Sequence, residues 1–310
     1  MLSRRNIRVK VMQTLYSLEC MNNETHTGEP LKILKKNLEH SQQLFTYLVY
    51  YIIEVARFAE KDAAQKSQKH LPTSYDLNIN TKISGNEVIW NILENISFRK
   101  SAEQQKIKYM INEDLIKKCY LALVASPEYK EYTSEKFRDR KSEKKIIQFI
   151  FSNLMLPDEH FISEVEEKFI HWDDDVEVMI LLMNSLLQKP SSFNFMELVG
   201  KEKIDFSINL MECVIDKKEY CRELIKPKLK NWDAERIASL DMILMEMGVC
   251  EFLYFETIPP KVTINEYIDL AKEYSTEQSG HFVNGILDNI HKELVVQNKI
   301  HKKNFKNSVL

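Results

Sequence analysis

Apolar residues recur at helical spacing along most of the chain. Over 4–19, Ile7, Val11, Leu15 and Leu18 fall on one face of an amphipathic helix. A second block over 31–70 carries Leu34, Leu38, Leu44, Leu48, Ile52 and Val55. Breaker residues in His70-Leu71-Pro72-Thr73-Ser74 and Ser84-Gly85-Asn86 predict a loop over 71–85. Helical patterning resumes over 86–125 and 133–156, on either side of Ser126-Pro127. It continues over 158–188 and stops before Lys189-Pro190-Ser191-Ser192, which reads as a linker. From 200 to 297 the pattern is helical again, interrupted at Pro227 and at Pro259-Pro260. The basic end, 298–310, reads as frayed. Strand alternation is weak throughout, so an all-α fold is expected.

Composition narrows the chemistry. Only six glycines and eight prolines occur among 310 residues, and no GxGxxG, GxxxxGK[ST] or GxSxG is present. Folds that bind nucleotide phosphates or display a nucleophile elbow need such glycines. Cys20, Cys119, Cys213, Cys221 and Cys250 are odd in number and include no CxxC, the pattern of buried thiols in a reducing compartment. No HExxH or EF-hand spacing points to a metal, and the acids at Asp173-Asp174-Asp175 suit the start of a helix. The N-terminus lacks signal-peptide features, and the longest apolar run, Tyr47 to Ile53, is far short of a membrane span. A cytoplasmic protein without cofactor, metal or membrane is expected.

The net charge is −3, yet the first helix holds Arg4, Arg5, Arg8 and Lys10 with no acid before Glu19. At 100° per residue, Arg5 and Tyr16 point within about 20° of each other, and Arg8 falls on the same flank. Guanidiniums suit phosphates and an aromatic ring suits an unstacked base. The plain alternative is a solvated basic face. The eight histidines have no evident catalytic partner. Trp172-Asp173 and Trp232-Asp233 each precede a Met- and Leu-rich helix, an echo that fits either duplication or two similar caps.

The strongest local signals lie near the C-terminus. Thr263-Ile264-Asn265-Glu266 has the form of a capping box, and Ser275 with Gln278 repeats it. Phe282, Val283, Ile286, Leu287, Ile290 and Leu294 form a clean helical stripe. Within it, Asn284-Gly285 is unusual, since glycine costs about 1 kcal/mol there relative to alanine. Close backbone packing is the expected reason.

Several segments together resemble the NusB family of transcription antitermination and rRNA-processing factors. They are Arg4-Arg5-Asn6-Ile7-Arg8 with Gln13-Thr14-Leu15-Tyr16, then Trp232-Asp233-Ala234-Glu235-Arg236-Ile237 and Ile258-Pro259-Pro260-Lys261-Val262. Ile264-Asn265-Glu266, Leu270-Ala271-Lys272 and Phe282-Val283-Asn284-Gly285-Ile286-Leu287-Asp288 follow in order. The resemblance implies helical bundles, no catalysis and no cofactor. It also implies binding to the box A element of rRNA leader transcripts together with ribosomal protein NusE, and through them to the RNA polymerase elongation complex. Carried over by position, the RNA surface would comprise Arg4, Arg5, Arg8, Tyr16, Gln278, Ser279, His281 and Phe282, and the partner surface would include Asp241. The sequence departs from the family at Asn6, which replaces one of its arginines, at Glu246, where relatives often carry Arg, and at Cys250, where they often carry Tyr. On this reading 1–20 is the Arg-rich helix of the core, 21–199 an inserted helical region, 200–297 the C-terminal core and 298–310 a basic tail. A helical scaffold that binds only protein is the main alternative. An rRNA methyltransferase is disfavoured by the missing glycine-rich cofactor loop.

Overall fold

The computed structural model describes residues 2–21, 28–229 and 237–303. The Trp232 to Arg236 motif, with the second half of the Trp-Asp echo, lies outside them. The described residues are helical, with no strand among them. They divide into two compact units, one over 39–198 and one over 2–38 with 199–303.

The α-helices among the described residues are α1 (Arg4–Cys20), α2 (Glu29–Ser67), α3 (Ser74–Leu77), α4 (Glu87–Glu94) and α5 (Ile96–Gln104). Then come α6 (Glu113–Ala125), α7 (Pro127–Ser134), α8 (Arg140–Phe149), α9 (Glu159–Lys168) and α10 (Trp172–Gln188). The series ends with α11 (Lys201–Asp216), α12 (Lys218–Ile225), α13 (Ser239–Tyr254), α14 (Pro260–Tyr274) and α15 (Glu277–Val296).

The 39–198 unit is built on the larger part of α2, whose Leu44, Phe45, Leu48, Ile52, Val55 and Ala59 are buried. The helix expected over 86–125 is several shorter ones, because asparagines cap their starts. Asn86 Oδ1 accepts from the Val88 and Ile89 amides, Asn95 from Ser97 and Phe98, and Asn112 from Asp114 and Leu115. Beyond α8 the backbone widens into a π-helical turn over Ile150–Met155.

The segment expected to be a linker is instead stitched into this unit. Asn95 Nδ2 donates to the carbonyls of Pro190, Ser191 and Phe193 at 3.1, 3.2 and 2.8 Å. Phe193 and Phe195 pack edge-on at 4.9 Å, and Phe195 meets Phe98 at 5.0 Å. The boundary between units falls at 198/199.

In the other unit α13 is the centre, buried from Ile243 to Phe252 and packed by α1, α11, α12, α14 and α15. Gly248 allows this closeness: a Cβ there would sit 2.9 Å from Leu287 Cδ2 and 3.4 Å from Tyr267. The tail is docked as far as it is described. Lys302 Nζ donates to the carbonyls of Glu251 and Phe255 at 2.7 and 2.8 Å, and the Lys303 amide to Glu256 at 3.0 Å.

Two expected caps are displaced. α14 starts at Pro260 with Pro259 as N-cap, so Thr263 is an interior residue. The capping box of α15 is Thr276 with Ser279, one residue after the expected pair. Among the described residues no helix is long and apolar enough to cross a membrane.

Candidate nucleic-acid interface

α1 is started by Ser3, whose hydroxyl accepts from the Asn6 amide while the Asn6 side chain accepts from the Ser3 amide. This fixes the register in which Ile7, Val11, Leu15 and Leu18 are buried. Arg4 and Arg5 lie beside that stripe and keep 40% and 36% of their side chains exposed. Arg4 Nη2 is 2.5 Å from Glu202 Oε1. Arg5 Nη2 is 2.8 Å from Glu273 Oε2, with Asp269 at 3.7 Å from Nη1. Exposed pairs of this kind contribute about 0–1 kcal/mol, so an incoming phosphate can displace them. Tyr16 is 44% exposed. It lies eleven residues beyond Arg5, roughly 16 Å along the helix, a span that several nucleotides of single-stranded RNA would cover.

Arg8 corrects the expectation that it shares this surface. Only 2% exposed, it donates from Nε and Nη2 to the two oxygens of Glu251 at 2.7 and 3.1 Å, and from Nη1 to Glu266 at 3.3 Å. Thr263 and Tyr267 hydroxyls donate to the same Glu251 carboxylate at 3.0 and 2.8 Å. Burial opposes the Arg8 charge, but hydrogen bonding and attraction to Glu251 outweigh it and hold the guanidinium protonated more firmly than usual. Burial, then the Glu251 charge, pushes the Tyr267 phenol well above its ordinary range. Arg8 is therefore a core residue that ties α1 to α13 and α14. The buried Lys10 is likewise absent from the exposed basic face.

The C-terminal segment divides in the same way. Gln278 and His281 are exposed on α15, whereas Ser279 and Phe282 are buried. Ser279 completes the cap and donates from Oγ to Asp241 Oδ2 at 2.8 Å. Asp241, expected on a partner surface, is 5% exposed, and its Oδ1 is buried without a hydrogen-bond partner. Glycine packing is corrected too. Gly285 is exposed and a Cβ there would meet nothing within 4 Å, whereas Gly280 faces the Lys272 side chain and Gly248 the core.

The Arg5–Glu273 pair joins the basic helix to the last turn of α14, just before α15 begins. Arg5, Gln278 and His281 thus belong to the same end of this unit, and Arg4 lies one residue from Arg5. Glu246 meets Arg222 Nε at 2.7 Å, and Arg222 also reaches Glu19 at 3.3 Å. Burial raises the Glu246 carboxyl above its ordinary value despite that arginine. Sequence reasoning missed Glu251, Thr263 and Tyr267 as one polar cluster. A carboxylate inside the otherwise apolar run Met247 to Leu253 was the available signal.

The model of the NusB family matches residues 181–292. A transcription antitermination protein NusB of Methylacidiphilum infernorum is 46% identical over 80 residues, 26% of this chain and 56% of that protein. One from Salinibacter ruber is 41% identical over 98 residues, 32% of this chain and 61% of the other. One from Finegoldia magna is 40% identical over 92 residues, 30% of this chain and 67% of the other. The matched part thus spans about half to two thirds of the length of these relatives. No solved structure matches the chain.

Proposed function

Because this chain belongs to the NusB family, we propose that it is a non-catalytic, RNA-binding antitermination factor. It binds the box A element of rRNA leader transcripts, with ribosomal protein NusE as its protein partner, and so reaches the RNA polymerase elongation complex. The observation that carries the reading is the pairing of Arg5 with Glu273, which sets exposed guanidiniums at the same end as Gln278 and His281. Arg4 and Arg5 supply phosphate contacts and Tyr16 a stacking surface for an unpaired base. Arg8, Ser279, Phe282 and Asp241 act beneath this face by holding α1, α13 and α15 in place. Residues 21–199 are an insertion into the family core, and the function is exercised in the cytoplasm.

Fluorescence anisotropy of labelled box A RNA against a scrambled control, with and without NusE at two salt concentrations, tests the proposal. Preference for box A, strengthened by NusE and lost in Arg5→Ala/Tyr16→Ala, is the expected result. Equal, salt-dependent binding to both RNAs would reduce the face to a generic basic patch. Binding of NusE with no RNA affinity would favour a protein-only scaffold.

A further inference from the structure

Three thiols from three helices meet inside the 2–38/199–310 unit. Cys221 of α12 and Cys250 of α13 are fully buried, with their sulfurs 3.5 Å apart. Cys213, near the end of α11 where that helix packs on α13, is half-buried and close enough to Cys250 for the two thiols to influence each other. All three are free. Among the described residues no group of three His, Cys, Asp or Glu is arranged to hold a metal ion. What distinguishes the cluster is a gradient of access across adjacent sulfurs. Interaction with the Cys250 thiol, and secondarily the Lys217 charge, lowers the Cys213 thiol below its ordinary value although burial opposes this. Cys250, next to both other thiols and buried, is pushed far up. Thiolate character and access decide which sulfur an oxidant meets.

We propose that Cys213, Cys250 and Cys221 form a peroxide-responsive thiol relay, with Cys213 as the entry sulfur and Cys250 as the resolving one. The Cys213 thiolate attacks a hydroperoxide oxygen: an S–O bond forms, the O–O bond breaks, and the departing oxygen takes a proton and leaves as water or alcohol. Sulfur is oxidised by two electrons to sulfenic acid, and the peroxide is reduced. The Cys250 sulfur then attacks Cys213, and the hydroxyl leaves as water with the Cys250 proton, giving a disulfide. Cys221 can next attack the Cys250 sulfur, passing its proton to the departing Cys213. The bond then lies between the two buried residues and Cys213 is regenerated. From 3.5 Å, closure to a disulfide needs an approach of about 1.5 Å, within reach of side-chain rotation. A small dithiol reverses the cycle by exchange.

The test is native exposure of the full chain to hydrogen peroxide, followed by alkylation and peptide mapping by mass spectrometry. Wild type is expected to link Cys250 to Cys213 or Cys221, reversibly with dithiothreitol, while the isolated buried Cys119 stays a thiol. Cys213→Ser is expected to slow the link to Cys221 about tenfold or more. Cys250→Ser is expected to leave a Cys213 sulfenic acid that dimedone traps. Circular dichroism checks that each variant is folded, and the wild-type map decides the matter if one is not. Oxidation confined to the exposed Cys20, or formation of the Cys221–Cys250 bond at the wild-type rate in Cys213→Ser, would overturn the relay.

Discussion

Arg8 and Glu251 face each other as a two-point ion pair, at 2.7 and 3.1 Å, with 3% and 0% of their side chains exposed. Removing one partner leaves a buried charge without its counterion, which costs about 3–5 kcal/mol. Arg8→Met is therefore expected to lower the unfolding free energy by about that much. Arg8→Met/Glu251→Leu should lose less, mainly the hydroxyls of Thr263 and Tyr267 left without an acceptor, about 1–3 kcal/mol. Urea denaturation of the singles and the double completes the cycle. Additive losses would contradict a coupled pair.

In the other unit Asn95 has two roles. Its oxygen caps α5 and its nitrogen serves three carbonyls of the 190–193 segment. Asn95→Ala is expected to cost about 2–4 kcal/mol from cap and carbonyls together. Hydrogen exchange should show residues 190–199 opening first, and unchanged protection there would refute the stitching role.

Gly285 occupies a helix interior without any contact that forbids a side chain. Gly285→Ala is thus expected to stabilise the chain by about 1 kcal/mol, read as a higher melting temperature. If RNA or NusE approaches this bare backbone, the same variant will bind more weakly while melting higher. A loss of stability would instead reveal hidden crowding.

Burial lowers the Lys302 ammonium to about 8, against attraction from Glu251 and Glu256. Between about 8 and the ordinary 10.5 the folded chain binds fewer protons at this group than the unfolded chain does. The contribution of Lys302 to stability therefore rises with pH across that window and is flat below it. Carbon NMR of the Lys302 ε-methylene should titrate near 8. Relative to Lys302→Met, wild type should gain stability from pH 8 upward, and a midpoint near 10.5 would exclude the burial argument.

How far the sequence could be read depended on how many faces each helix buries. The stripes of α1 and α15 identified their inner faces because the opposite sides meet water. α13 is buried all round, so its pattern has no preferred face and Glu251 could not be assigned a direction. Arg5 and Arg8 lie on neighbouring flanks by helix geometry, and only the acids of α13 and α14 decide that one turns out and the other in. Asn95 and Asn112 are compatible with helix interiors as well as caps, which merged several helices into one expected block. Pro260 at the first turn of α14 overrode the capping-box reading of Thr263. Gln278 and His281 are exposed on α15 beside the buried stripe of their neighbours, while Ser279 is drawn inward by Asp241, distant in sequence.

The separation of 243 residues between Arg8 and Glu251 also sets an order of events during synthesis. At about 5–20 residues per second, roughly 12–50 s elapse between the two leaving the ribosome's catalytic centre. Meanwhile residues 39–198, one of the two compact units, emerge as an unbroken stretch. Until the last third of the 310 residues is made, α1 has neither α11 nor α13 to pack on and Arg8 has no Glu251 to pair with.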